Sequence, residues 1–400
     1  MAPLPPLDEA PYDHALVGAG VAGLHLATEL AARFPDARIA LVDPGFGDLA
    51  ARTLGFWCEG RPPLEDAVER SWSRIRIASE GRTIERALDA HRYHVIRGVG
   101  LRDACLARLA AHGGVHLHLG AAARVESRED GARVEGQGGL DLRARWVFDS
   151  RVDLEAVPAD PSRHVVLSQR FLGWEIEADH DAFDAEVATL FDFRTPTTER
   201  DVRFVYVLPF TPRRALVELV TLRPGGEREA LGGYLRDVLG LERYDVLRVE
   251  HGTSPLTDAV FPRRAGARHL RIGVAGGRLK PSSGYAFTRI VEDSAAIVRS
   301  LAAHGHPFDG LPETPEAFRM LDGVFLRVMR REPARMPHVF LRLFERNPPS
   351  RVLRFLDERV GLDDVLALGS SLPPGPFARA LAGAQRLRIA AAFRRLAAAP

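Results

Sequence analysis

The sequence predicts an α/β (α+β) protein in which a strand–helix–strand unit opens the fold, a β-sheet domain is inserted, and the C-terminus is helical. Three observations carry this reading. Residues 14–43 alternate short apolar strands with a helical stretch, strand signals dominate from about 164 to 265, and beyond 310 the pattern is helical and punctuated by arginine. With 400 residues the chain exceeds the roughly 250–300 that one core holds, so more than one packed unit is expected.

The charges nearly cancel, 54 basic residues against 53 acidic ones, for a net +1. No nucleic-acid partner is expected, because such binders carry a basic excess or stripe. Apolar residues at 46% and charged residues at 27% exclude global disorder. Cys58 and Cys105 are too few for a disulfide framework and stand in no metal-type pair, which suits a reducing cytoplasm. Neither a basic-then-apolar leader nor an apolar run of about 18 residues is read, so the chain is expected not to cross a membrane. Arginine supplies every cation except Lys280, a bias that argues against reading function into any one arginine.

Taken in order, the first ten residues, with three prolines, read as a loose tail. His14–Val17 is a strand, Gly18 to Phe34 is helical, and Arg38–Asp43 is a second strand. Arg102 to His112 is a helix, with Leu101, Cys105 and Leu109 on one side. Alternation marks strands at Val115–Leu119, Arg133–Glu135 and Leu140–Ala144, and Trp146–Asp149 reads as a buried strand. Val165 to Phe171, Arg203 to Phe210 and Ala215 to Leu222 are the strongest strands of the middle. The last two are joined as a hairpin through Thr211–Pro212–Arg213–Arg214, where proline suits the second turn position. Residues 285–303 form a helix, and the helical tail breaks at Pro348–Pro349 and at 372–376. The expected division is residues 1–160 with 266–305 as a nucleotide-binding domain, 161–265 as a β-sheet substrate domain, and 306–400 as a helical region.

Gly18–Ala19–Gly20–Val21–Ala22–Gly23 is G-x-G-x-x-G, set between a strand and a helix, with Asp43 ending the next strand twenty residues after Gly23. Gly18 permits the tight turn, Gly20 lets a pyrophosphate approach the backbone, Gly23 lets helix and sheet pack, and Asp43 accepts from ribose hydroxyls. The helix N-terminus adds unpaired N–H groups for the phosphates. A ligand-free glycine turn is the plain alternative. A second glycine-rich strand end, Ile272–Gly277, arrives about 250 residues later. A long cofactor held between two such segments is the arrangement of FAD proteins rather than of nicotinamide dehydrogenases, and Asp149 ends a strand near the same place.

The hairpin carries a candidate acid. Period-2 alternation puts Phe204, Tyr206, Leu208 and Phe210 on one face, and Glu218 on one face with Leu216 and Val220. Burial among apolar neighbours would keep Glu218 protonated, ready to protonate an alkene beside rings that stabilise positive charge. The alternative is a Glu218 at a sheet edge paired with an arginine. In Phe171–Leu172–Gly173–Trp174–Glu175, Phe171, Gly173 and Glu175 share a side, and the glycine marks a bulge or a close approach to the backbone. His116/His118 and His304/His306 lack the rest of a ligand set, so no metal is expected. No G-x-S-x-G elbow is present.

Together these segments resemble the flavin-dependent lycopene cyclases of the bacterial lycopene beta-cyclase type, in consistent order from about residue 14 to 360. The resemblance rests on Ala19–Leu24, Arg52–Trp57, Phe171–Glu175, Phe204–Phe210, Leu216–Glu218 and, most specifically, Gly276–Gly277–Arg278–Leu279–Lys280–Pro281–Ser282–Ser283–Gly284–Tyr285–Ala286–Phe287. It implies a Rossmann-type FAD-binding domain that uses reduced FAD, with NADPH as external reductant. Gly18, Gly20, Gly23, Asp43, Gly276, Gly277, Lys280, Pro281 and Gly284 would serve the cofactor. It also implies acid-catalysed, non-redox closure of an acyclic carotenoid end group to a β-ionone ring, with Glu218 as the acid. Members commonly carry a second acid directly after it, where this chain has Leu219, so deprotonation would fall to Glu175, the flavin or water. A flavin monooxygenase or oxidoreductase, and a non-enzymatic carotenoid-binding flavoprotein, are the alternative readings. A hydrocarbon substrate implies peripheral membrane contact by a cytoplasmic protein. The stretch Phe377 to Leu396 is the candidate surface, with Leu381, Ala384, Leu387 and Ala391 at helical spacing and Arg379, Arg386, Arg388, Arg394 and Arg395 for headgroups. A helix that simply caps the fold is the alternative.

Overall fold

The computed structural model describes residues 11–383 except 46, 154–156, 158–159, 161–162 and 196–200. The proline-rich tail, and the candidate membrane stretch from 384 onward, lie outside the described residues.

The opening unit forms as read: β1 (Tyr12–Val17), α1 (Val21–Arg33) and β2 (Ile39–Asp43). These strands lie in a sheet ordered β17-β18-β11-β1-β2-β8, formed with β8 (Val115–Leu119), β11 (Asp141–Asp149), β17 (Arg264–Gly266) and β18 (His269–Arg271). From β18 to β8 every neighbouring pair is parallel. Buried parallel strands need apolar residues on both faces, and Ala15, Leu16, Ile39, Ala40 and Leu41 are fully buried. Helices α1, α3 (Gly98–Ala110) and α5 (Phe287–His304) cover one face. A hairpin of β9 (Ala122–Arg128) and β10 (Gly131–Gly136) covers the other and pairs β10 with β11. The segments 140–144 and 146–149 are one strand: its first half is covered on one face only and its second half on both, so the periodicity changes midway.

The second sheet runs β16-β12-β15-β14-β13-β5-β6. Its strands are β12 (Val166–Ala178), β13 (Val187–Asp192), β14 (Arg203–Pro209), β15 (Arg214–Thr221) and β16 (Tyr244–Thr257), with β5 (Arg74–Ser79) and β6 (Arg82–Ala87) at one edge. The last two come from outside residues 161–265, because β5 pairs parallel to β13. Alternation sorts the hairpin as read. Phe204, Tyr206, Leu208, Leu216 and Val220 join a core shared with the C-terminal helices, while Val205, Val207, Val217 and Leu219 face α4 (Glu227–Asp237). A third sheet, β3 (Thr53–Glu59), β7 (His91–Arg97) and β4 (Val68–Trp72), bridges the two. Short α2 (Gly47–Ala50) precedes it, and Gly98 allows α3 to start against it: a Cβ there would lie 1.7 Å from Leu49 O.

The helical region comprises α6 (Glu316–Arg331), α7 (Met336–Arg346), α8 (Pro349–Leu356) and α9 (Leu362–Ser371). Proline starts α8, where its missing N–H would be unpaired anyway. Phe344, Val339, Leu326 and Phe340 close over the second sheet, so its aromatic face is interior.

Candidate active site

A cavity of about 950 Å³ runs from the glycine-rich turn to the second sheet. At the nucleotide end Gly18 has φ 93°, a conformation that suits glycine, and a Cβ there would meet Ser150 Oγ at 2.3 Å. At Gly23 a Cβ would lie 1.9 Å from Gly18 O, so helix and turn pack only without one. A Cβ at Gly20 would meet nothing within 4 Å and point into open space, so here the backbone borders the cavity without a side chain. Asp43 orders the turn, accepting from Ala19 N at 2.8 Å and Gly45 N at 2.9 Å. This open backbone at the start of a thirteen-residue helix fits a dinucleotide's pyrophosphate. Behind it, burial would raise Asp149, but hydrogen bonds from Arg151, with the His269 ring 3.4 Å away, hold its carboxyl down at about 2.

The later glycine-rich segment divides. Gly284 lines the main cavity. Gly276, Gly277 and Pro281 line a second cavity of about 550 Å³. Lys280, expected at the cofactor, is directed elsewhere: its Nζ donates to Asp322 Oδ2 and Glu358 Oε1, both at 2.9 Å, and fastens the helical region to the loop. Positive φ at Gly273 and Gly277 (60° and 73°) turns the loop in this way.

At the other end stands Glu218, its exposed surface facing the cavity. It lies opposite Tyr206 on β14 and Gly173 on β12. On the far side of β12, Gly173 registers with Glu250 of β16. Glu250 Oε2 accepts from Thr53 Oγ1 at 2.8 Å and Arg248 Nη1 at 2.7 Å. Burial first, and then the Glu250 carboxylate against it, push Glu218 well above the usual carboxylate range, with Arg248 opposing. Glu175 is not in the cavity wall. It is buried in an arginine cage and accepts from Arg97 Nη2 at 2.5 Å, Arg214 Nε at 2.7 Å and Arg248 Nε at 3.1 Å. Burial would raise it, but those guanidinium groups hold it below its usual range. Arg248 therefore links Glu175 to Glu250.

Three phenols complete this end. Tyr285 Oη lies 3.3 Å from Tyr93 Oη and 3.2 Å from Tyr206 Oη, and the Tyr285 ring meets Trp57 edge-on at 4.5 Å. Burial pushes all three phenols well up, so they stay neutral. Sequence reasoning missed Glu250, Tyr93 and Arg248. Strand alternation puts Arg248 and Glu250 on one face, and Gly173 signalled a close approach, but nothing local said what approached. The histidine pairs lie elsewhere: His116 and His118 flank the Tyr12 ring, and His304 stacks on His306.

This architecture is that of the Rossmann-type flavoproteins. A geranylgeranyl bacteriochlorophyll reductase-like protein from Thermoplasma acidophilum, 13% identical, aligns over 92% of this chain and 98% of its own with a TM-score of 0.61. Klebsiella pneumoniae HpxO, solved with FAD and 13% identical, aligns over 91% and 100% with a TM-score of 0.59. Within that class, the family model described as lycopene cyclase protein matches residues 13–382. The chain is an enzyme of the lycopene cyclase family. The lycopene beta-cyclases of Paracoccus sp. and Pantoea ananas are 28% and 26% identical to it, each over 92% of this chain and 96% and 97% of their own.

Proposed function

We propose that this enzyme closes the ψ-end groups of an acyclic carotenoid such as lycopene to β-ionone rings, giving gamma- and beta-carotene without net redox change. One observation carries the reading: Glu218, whose burial favours its protonated form, stands in the wall of an aromatic-lined cavity that is continuous with a dinucleotide-type glycine turn. Glu218 gives its proton to the terminal double bond. The internal alkene attacks the tertiary cation, and the ring then loses a proton. Neutral Tyr93, Tyr206 and Tyr285 offer π faces to the positive charge without surrendering protons of their own. Glu175, ionised in its cage, orients Arg248 and through it Glu250.

Gly18, Gly20, Gly23, Asp43 and Gly284 would hold FAD. Bound in its reduced form, with NADPH as external reductant, it would supply negative charge against the developing cation. Residues 1–160 with 266–305, apart from the β5–β6 pair at 74–87, serve as the cofactor domain, joined to a substrate sheet of residues 161–265 that takes in that pair and to a helical region at 306–400. A C40 hydrocarbon partitions into bilayers, so the enzyme collects it by peripheral contact at the cytoplasmic side. Among the described residues no helix is long and apolar enough to cross a membrane.

The test is anaerobic incubation of the FAD-loaded, reduced protein with lycopene in liposomes, followed by chromatography. Cyclised products without stoichiometric NADPH consumption are expected. Product formation that requires oxygen, or consumes one NADPH per turnover, would replace this reading with a monooxygenase or reductase.

A further inference from the structure

We infer that Glu250 is the second carboxylate of the acid site, paired with Glu218 across Gly173 and sharing with it the proton released after ring closure. The inference rests on the cyclase reading and deepens it. Glu218 and Glu250 sit on strands separated by β12, so their backbones are about 10 Å apart at the usual strand spacing. Both register on Gly173. Any side chain there would stand between them: a Cβ at 173 would lie 2.8 Å from Glu250 Cγ and 3.2 Å from its Oε1. Glycine at the centre of the sheet leaves open the gap between the two side chains, across which Glu250 acts on Glu218.

Glu250 is itself fitted for this part. Its Oε2 is held by Thr53 and Arg248, while its buried Oε1 has no N–H donor. The donor that Oε1 lacks is the proton on Glu218. The groups facing the pair from the surrounding strands are Arg248 on β16, the phenols of Tyr206 on β14 and Tyr93 on β7, and Tyr285 from the glycine-rich loop. Glu175 on β12 acts through Arg248, and its remaining partners, Arg97 and Arg214, offset its charge. The adjacent position, Leu219, points into the opposite core, where an acid would not reach the cavity. The second acid therefore comes from a strand two places away instead of from the next residue.

The proton balance closes without an oxidant. The O–H bond of Glu218 breaks as a C–H bond forms at the alkene, leaving two adjacent carboxylates that repel each other. When the ring forms and a ring C–H bond breaks, that proton returns to the pair and its electrons become the new double bond.

Infrared titration of the FAD-loaded protein tests this without turnover. The protonated carboxyl C=O band that disappears in Glu218→Gln belongs to Glu218. In Glu250→Gln that band should titrate at a pH lower by about one unit or more, as expected for coupled acids. Glu250→Asp, which keeps the charge, should restore most of the wild-type midpoint. The alkaline limb of turnover in Glu250→Gln should move to lower pH by the same amount, with KM for the carotenoid unchanged. A midpoint unmoved in both Glu250→Gln and Gly173→Ala, with flavin retained, overturns the inference. A shifted band in a protein that forms no ring product sustains the carboxyl pair and removes the cyclase reading instead.

Discussion

The Lys280 ammonium lies 2.9 Å from the Asp322 carboxylate, and both side chains are 1% exposed. Glu358 accepts a second hydrogen bond from Nζ and also meets Arg289 of α5 at 3.0 Å, so one buried network ties the glycine-rich loop, α5 and the helical region together. Breaking such a pair from one side leaves charge buried without compensation. Lys280→Met should cost about 3–5 kcal/mol in urea unfolding, with FAD affinity of the surviving folded protein unchanged. An unchanged urea midpoint combined with lost flavin would return Lys280 to the cofactor.

Glu218→Gln keeps the shape of the acid and removes its proton. Turnover should fall by about 10²–10⁴-fold, the range for a lost general acid, while flavin content stays the same. Stability gives an independent check. Glu218 binds its proton in the folded state at pH values above the ordinary 4.5, where the unfolded chain has released it. Its contribution to folding is therefore complete below about 4.5 and declines as the pH rises. The variant should lose that decline, so urea midpoints at pH 5 and pH 8 should lie closer together than in wild type.

Gly20→Val places a branched side chain in the open space bordering the cavity and should abolish FAD retention with little effect on folding. Gly23→Ala is different, since its Cβ would strike Gly18 O. It should lose stability and flavin together. Visible absorbance per chain and thermal midpoints separate the two outcomes, and a Gly20→Val protein that stays yellow refutes the placement.

Burial lowers His14 and His25 from 6.5 to about 4. The unfolded chain binds their protons first, so stability is complete above about pH 6.5 and falls as the pH drops toward 4. Both lie in the nucleotide unit, on β1 and α1. His25→Leu should flatten the thermal midpoint between pH 6.5 and 4, and an unchanged slope would show that His25 is not neutral in the folded state.

What the sequence by itself determined is local. The strand–helix–strand of β1, α1 and β2 was legible because apolar periodicity and the spacing of Gly18, Gly20 and Gly23 act within one unit of chain. The hairpin through Thr211–Arg214, and the side of it that Glu218 takes, followed from alternation and a proline turn. Tertiary structure decided what depends on register between distant strands and on the direction of glycine turns. Pairing β16 beside β12 brought Glu250 to Gly173, and pairing β5 to β13 carried residues 74–87 into the second sheet. Positive-φ glycines at 273 and 277 turned Lys280 toward Asp322. Period-2 alternation states which face a side chain takes and leaves open which strand lies beside it, because that choice is settled by burial of the whole sheet.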